Sequence, residues 1–376
     1  MRAQALALLV LLGALPADAR TVVVSSGGSI QAAVDVAEPG DTIEVQPGTY
    51  SGSGGQALVH VRTSGLTLRA SRAAVIDARG HRYGVLVGEG APTSADRCPP
   101  VGVRGFVISG FTIVGAEHTA LRIEGVDGFA IRDGAYLDNR AHGPVSRCAS
   151  HGEISGNHAA AQGGAAIQIS DSSHVVVEGN SVTESGIGIE IENSTYAVVR
   201  KNQIFGNTAG LLVAVRAGLV HAITDHVRIE ENAILKNNRP NPIAPASPDP
   251  AGAIPTGSGL LNAGGDHVSI ERNVILDNDS FGVATTASIS ASSDPRADPF
   301  ADRQRVQKNV ILLNGQRPDP RRADTPGADI VFVPDLLDFE AGVVRQPDPD
   351  PSDACFGENR FYTEFPAGVT EALGCP

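Results

Sequence analysis

The chain has 376 residues, a formal net charge of −13 at pH 7, no Trp and only 4% aromatic residues. The acidic excess argues against a nucleic-acid binder, which needs Lys and Arg against phosphate, and against electrostatic capture of acidic polysaccharides unless a cation bridges them. Scarce aromatics argue against broad sugar-stacking platforms, leaving five Tyr as single contributors.

Residues 1–19 read as a secretory signal peptide: Arg2, an apolar run from Ala3 to Leu15, and the A-x-A site Ala17-Asp18-Ala19. That run is too short to span a membrane and no other stretch qualifies. The residue directly after the cleavage site is Arg20, not Cys, so a lipid anchor is not expected. The expected product is an exported, periplasmic or extracellular monomer with no membrane span. Thr21 to Val24 is a predicted strand. Ser29 to Ala37 is a predicted short helix, with Ser29 as N-cap, Ile30, Ala33, Val34 and Ala37 on one face, and Pro39-Gly40 as its end. A solenoid needs a lid over its first open coil, and this helix fits that place.

Irregular coils follow to about Gly156, with strand-like Leu66-Thr-Leu68, Phe106-Val-Ile108, Leu121-Arg-Ile123 and Phe129-Ala-Ile131. Then a phrase recurs: His174-Val-Val-Val-Glu-Gly-Asn180, Tyr196-Ala-Val-Val-Arg-Lys-Asn202, His226-Val-Arg-Ile-Glu-Glu-Asn232 and His267-Val-Ser-Ile-Glu-Arg-Asn273. Each phrase is followed by a short apolar pair, often a second Asn (Asn207, Asn237, Asn278, Asn314), then a Gly-led strand such as Gly186 to Glu192. Asn157 to Asn180 is 23 residues and Asn180 to Asn202 is 22; later steps are longer through insertions at 216–224, 239–255 and 288–305. Period-two strands of this length, returning at a fixed interval, specify a solenoid. One repeat cannot bury its own apolar face, so coils stack at roughly 4.8 Å. The fold expected is all-β, a single-stranded right-handed parallel β-helix with an N-terminal capping helix. It spans 20–316, with an irregular C-terminal segment and cap over 317–376. Asn is expected at the repeated turn because it tolerates left-handed backbone and can bond along the stack.

Cys98, Cys148, Cys355 and Cys375 allow three connectivities. Pairing by chain proximity gives Cys98–Cys148, joining loops about two coils apart, and Cys355–Cys375, stapling the C-terminal segment. A metal role is the weaker reading because there is no C-x-x-C.

Two families of residues align when coils are stacked. The first is a column of His174, Tyr196, His226 and His267, with Gly128 below, in which Asp225 and Asp266 precede the last two. Adjacent His residues beside Asp are candidate ligands for a transition metal (Asp225, His226, Asp266, His267), against the plainer reading of a polar turn surface. The second is the outward face of the Gly-led strands. Ile189 and Ile191 point in, so Glu190 and Glu192 point out, joined by Gln168 and Asp171 and then Arg122 and Glu124 as one patch over three coils. Arg122, Glu124, Asp171, Glu190 and Glu192 are the catalytic candidates, suited to a calcium-assisted lyase or a glycosidase pair; the plainer reading is a solvated strand face.

The run Ser29-Ile-Gln-Ala-Ala, Pro39-Gly-Asp-Thr-Ile and Pro47-Gly-Thr-Tyr50 resembles the N-terminal signature of pectin-lyase-like right-handed β-helix proteins. Ile187 to Ser194, Asn207 to Val213, Asn237 to Asn241 and Gly257 to Leu261 are similar to exported bacterial parallel β-helix repeat proteins with NosD-type repeats. The resemblance covers most of 29–314 and implies a fold but no reaction. Polygalacturonase-type relatives carry Asn-Thr-Asp, Gly-Asp-Asp and Gly-His-Gly before successive Gly-led strands. Here Glu117-His-Thr119, Ala161-Gln-Gly163, Glu184-Ser-Gly186 and Asn207-Thr-Ala209 stand there, so that hydrolase chemistry is not expected; a lyase is the better enzyme reading. Asp298-Pro-Phe-Ala-Asp302 is similar to the Asp-Pro-His-Asp run of alginate epimerases but lacks the His. Two functions stay open: a non-catalytic exported scaffold or accessory protein with a protein partner, and a carbohydrate-active protein binding or cleaving polysaccharide along the outward strand face.

Overall fold

The computed structural model describes residues 19–89, 97–245, 247, 250–322, 326–338 and 343–376. The expected signal peptide, apart from its last residue, lies outside them. Three parallel sheets wind around one core. Sheet A has 12 strands from Thr21–Val24 to Cys355–Gly357, sheet B has 10 from Gly48–Tyr50 to Val310–Leu312, and sheet C has 11 from Ala57–Val61 to Glu364–Phe365. Each coil visits A, B and C in turn, as in Ser173–Glu178, Ser181–Thr183 and Ile187–Glu192. Successive coils pair in parallel register, for example Val176↔Val198, Val182↔Ile204 and Ile189↔Leu211. This is the right-handed parallel β-helix expected from the repeat. Ala328–Val333 and Cys355–Gly357 extend sheets C and A beyond residue 316.

The core is the inward residue of each strand, stacked coil on coil: Val175, Val177, Val182, Ile189 and Ile191 are buried, as are their equivalents above and below. The helix Ile30–Asp35 starts where its cap residue predicts, with Ser29 Oγ accepting from the Ala32 amide at 3.1 Å, and it buries Ile30, Ala33 and Val34. The Gly-led strands need glycine for a steric reason. A Cβ on Gly188, Gly210 or Gly259 would stand 2.3–2.6 Å from the carbonyl oxygen of the coil above.

The Asn ladder works differently from the turn-conformation expectation. At the A-to-B turn the left-handed residue is the one before each Asn: Gly179, Lys201, Glu231, Arg272 and Lys308 have φ of 54–65°. The Asn is there to bond. Asn202 Oδ1 accepts from the Asn180 backbone amide at 2.9 Å and from its side-chain amide at 3.0 Å, and Asn232 does the same for Asn202. The ladder runs from Asn157 to Asn359. A second ladder at the B-to-C turn joins Asn207, Asn237, Asn278 and Asn314 and ends on Asp329. Turn amides that would otherwise be orphaned inside the wall are thereby satisfied.

Several strands before residue 156 are not marked by the sequence pattern, among them Ala57–Val61, Tyr83–Gly88 and one that bears on the site. His142–Arg147 belongs to sheet C, between Thr119–Glu124 and Ala165–Ser170. Pro144 and Ser146 occupy its inward positions, so the run lacks the apolar alternation that marks its neighbours, and Pro argues against a central strand.

Candidate functional site

The outward face of sheet C carries the carboxylates. Alternation places Arg122, Val145, Gln168, Glu190 and Leu212 in one outward row, and Glu124, Arg147, Ser170, Glu192 and Ala214 in the next. The extra strand corrects the alignment: Arg122 and Glu124 lie two coils below Gln168, and the patch covers four coils. It also adds Arg147, missed because its strand was missed.

The face is covered, which the solvated-face reading did not anticipate. Glu124 and Asp171 are each 1% exposed, Glu190 2% and Glu192 6%. Gln168 Nε2 donates to Glu190 Oε2 at 3.0 Å and Glu192 Oε1 at 3.1 Å. Arg216, the first residue of the 216–224 insertion, folds back to pair with Glu190 and, through Nε at 2.9 Å, with Glu192. Arg122 Nε donates to Glu124 Oε2 at 2.6 Å, and Arg147 lies between Glu124 (3.7 Å) and Asp171 (3.5 Å). Burial, and then the neighbouring Glu190 carboxylate, push the Glu192 carboxyl up to about 7, with Arg216 opposing. Glu192 therefore keeps its proton to well above the usual carboxylate range, in a pair with Glu190 that shares the Arg216 guanidinium. The donor set does not fit calcium: the carboxylates of Glu124, Asp171, Glu190 and Glu192 already face Arg122, Arg147, Arg216 and the Gln168 amide.

The three insertions flank this face on both edges. At the C-to-A edge, 216–224 is held by His221 N donating to Asp171 Oδ1 at 2.9 Å, and by Asn193, which bonds the Arg216 amide and carbonyl at 2.8 and 2.9 Å. The 288–305 insertion backs it: Ser290 Oγ accepts from Ala217 N at 3.2 Å, and Arg296 donates to Leu219 O at 2.9 Å. At the B-to-C edge, Ile254 of the 239–255 insertion packs on Ile187, Ala209 and Leu212. Arg239 and Pro242 from that insertion also wall an open cleft of about 460 Å³, lined by Glu117, Asp138, Arg140 and Gln162. The Cys98–Cys148 disulfide borders the same face, since Cys148 N donates to Ser170 O at 3.2 Å. Both disulfides pair as expected, which fits an oxidising compartment. No helix among the described residues is long and apolar enough to cross a membrane.

The His column is a ring stack on the C-to-A turn. His151, His174, Tyr196, His226 and His267 follow one another with centroids 4.4–5.2 Å apart. His151 replaces Gly128 as the member directly below His174, because Gly128 is one coil further down. Counting six residues back from Asn157 finds it. All five have φ of 47–56°, the conformation Gly128 takes in the coil below. Asp225 Oδ1 and Oδ2 accept from His267 Nδ1 at 2.8 Å and His226 Nδ1 at 2.6 Å. Asp266 is apart from this group: its Oδ1 accepts from the Asp302 amide at 3.1 Å, and burial pushes its carboxyl up to about 7 against that bond.

Sheets, ladders and a flanked outward face define a right-handed β-helix of the pectin-lyase-like kind. The chain belongs to the family described as "Right handed beta helix region", whose model matches residues 59–222 and 101–275. No curated protein matches the sequence. Among solved structures, the mannuronan C-5 epimerase AlgE6 A-module of Azotobacter vinelandii superposes with a TM-score of 0.51 at 14% identity, covering 89% of this chain and 90% of its own. A DFA-IIIase from Arthrobacter chlorophenolicus gives 0.51 at 14% identity, covering 88% and 87%. The family 28 exopolygalacturonase of Yersinia enterocolitica gives 0.50 at 12% identity, covering 90% of this chain and 65% of its own. At these identities the likeness shows the fold.

Proposed function

We propose that this is an exported, carbohydrate-active protein whose reacting groups lie on the outward face of sheet C. The observation that carries the reading is the buried pair of Glu190 and Glu192. Burying two carboxylates side by side costs stability, and the next coils place Leu212 and Ala214, then Leu261 and Ala263, at the same positions. Glu192, raised by burial and by Glu190, is the candidate acid; Glu190 shares the Arg216 guanidinium and the Gln168 amide with it and completes the pair. That pair suits glycosidic cleavage by proton transfer, and Arg122, Arg147 and Arg216 suit a uronate-containing polysaccharide. Substrate entry requires the 216–224 insertion to lift, exchanging its polar contacts to Glu190, Glu192 and Asp171 for solvent or sugar. The carbohydrate-active names among the structural neighbours are in keeping with this.

The test is a polysaccharide panel of uronate and neutral glycans, read by unsaturated-uronate absorbance and by new reducing ends. Product from the wild type that disappears in Glu192→Gln and Glu190→Gln is expected. Silence across the panel, with no glycan raising the melting temperature, overturns the reading. The closed cover over Glu190 and Glu192 favours a second reading, a non-catalytic exported scaffold whose buried charges fix the insertion, and silence would leave that one standing.

A further inference from the structure

The ring stack raises a question that the sheet C site does not answer. Six non-glycine residues, the five rings and Arg303 above them, adopt left-handed backbone at one turn position, each at a cost that glycine would avoid. Ring stacking offsets part of it. Stacking does not explain the arrangement at the upper end. There a single carboxylate, Asp225, sits against the Nδ1 atoms of two consecutive rungs, His226 and His267. The coil below puts Thr195 at the position of Asp225, so the stack itself has no need of an acid there.

We infer that Asp225, His226 and His267 form a binding site for one divalent transition-metal ion at the surface of the C-to-A turn. Each residue offers one ligand atom, and these atoms lie within 4.8 Å of one another. Two imidazoles and one carboxylate are the ligands that zinc, nickel and copper prefer, whereas calcium and magnesium take all-oxygen sets. Small rotations of the two rings bring the three atoms onto an ion at about 2.1 Å each. His226 is exposed, so water can complete the coordination. The coil spacing does the positioning: rungs one strand apart hold the rings 4.4 Å apart at 18°, and the rigid stack below keeps His226 from turning away. On binding, the two hydrogen bonds to Asp225 give way to metal–ligand bonds, and each ring proton moves to the other ring nitrogen.

Arg303, one coil above, has its guanidinium 3.2 Å from His267 Nε2. It occupies the next place in the column with φ 53°. A cation there repels an incoming ion and stabilises the His267 tautomer that metal binding removes. Arg303 is thus a competitor for the site, and its removal should tighten binding where a merely structural column predicts no effect. Asp266 is committed to the Asp302 amide and takes no part.

The experiment is calorimetric titration of the full chain, tags removed, with zinc chloride, then nickel and copper, and calcium as the contrast. One zinc per chain is expected, at least ~10-fold weaker in His226→Ala and in His267→Ala, and no weaker, with tightening expected, in Arg303→Ala. Circular dichroism confirms that each variant is folded; should a His variant fail to fold, Asp225→Asn replaces it with the same expected loss. Absence of zinc binding to the wild type overturns the inference. So does equal binding by the His226→Ala/His267→Ala double variant, which would place the ion elsewhere, or weaker binding by Arg303→Ala.

Discussion

Glu192 makes the protein less stable as pH rises through the neutral range, and Glu192→Gln should remove that loss. An ordinary Glu titrates at 4.5, whereas Glu192 in the fold is pushed up to about 7 by burial and by Glu190. Between those values the folded chain keeps a proton that the unfolded chain has released. The sign follows: stability contributed by the protonated form is complete below pH 4.5 and is lost as pH rises towards 7. Each pKa unit corresponds to about 1.4 kcal/mol, so the loss between pH 5 and pH 8 is roughly 2–3 kcal/mol. Asp266, also raised to about 7, adds to the loss in the same direction, by less because it is partly exposed. Carboxylates whose pKa is lowered, such as Asp41 at about 2, titrate below this window. His118, lowered to about 4 by burial, opposes this loss as pH rises to 6.5, so the test is the comparison of wild type with variants in denaturant unfolding at pH 5, 6, 7 and 8. Relative to the wild type, Glu192→Gln should remove most of the fall and Asp266→Asn a smaller part. A pH dependence unchanged in Glu192→Gln would refute the assignment of the proton to this site.

Other consequences follow from the scaffold. Asn202→Ala orphans the Asn180 amide and the Val177 carbonyl inside the wall, and should cost roughly 2–5 kcal/mol in denaturant titration; a loss under 1 kcal/mol would show that water replaces the ladder. Gly210→Ala places a Cβ 2.6 Å from Gly259 O and 2.5 Å from Ile234 Cγ2, and overpacking of about 1–3 kcal/mol is expected. Gly102→Ala, where a Cβ would meet only Glu89 side-chain atoms at 3.9–4.0 Å, is the control. Cys98→Ser/Cys148→Ser opens a loop of 50 residues, which should lower stability by up to about 4 kcal/mol and increase hydrogen exchange around Asp171. Unchanged exchange there would sever the disulfide from the carboxylate face.

Much of this molecule was legible before any coordinates. The interval between Asn180 and Asn202, the alternation of Ile187 to Glu192 and the Ser29 cap led to a stacked β-coil with one capping helix. Counting from the Asn rungs placed His226 beside His267 and Glu190 beside Gln168. The same counting failed at Pro144 and Ser146, where a strand is held in register by its neighbours on both sides without apolar residues of its own. His151 is less visible because Gly152 stands where the later phrases carry an apolar Val or Ala.

Sequence fixes this fold because stacking requires every coil to repeat the same inward residues, the same bonded Asn and the same glycine at the close approach. Those are local demands, written into each repeat. The site has no such repetition. Arg216 reaches Glu190 only because an insertion one coil above folds back over the sheet, and the Glu192 carboxyl is raised because it is buried beside Glu190. Asp225 touches both imidazoles because three side chains from two turns meet across one strand spacing. Such contacts join residues by distance in space, through loops with no period, and the tertiary structure alone decides them.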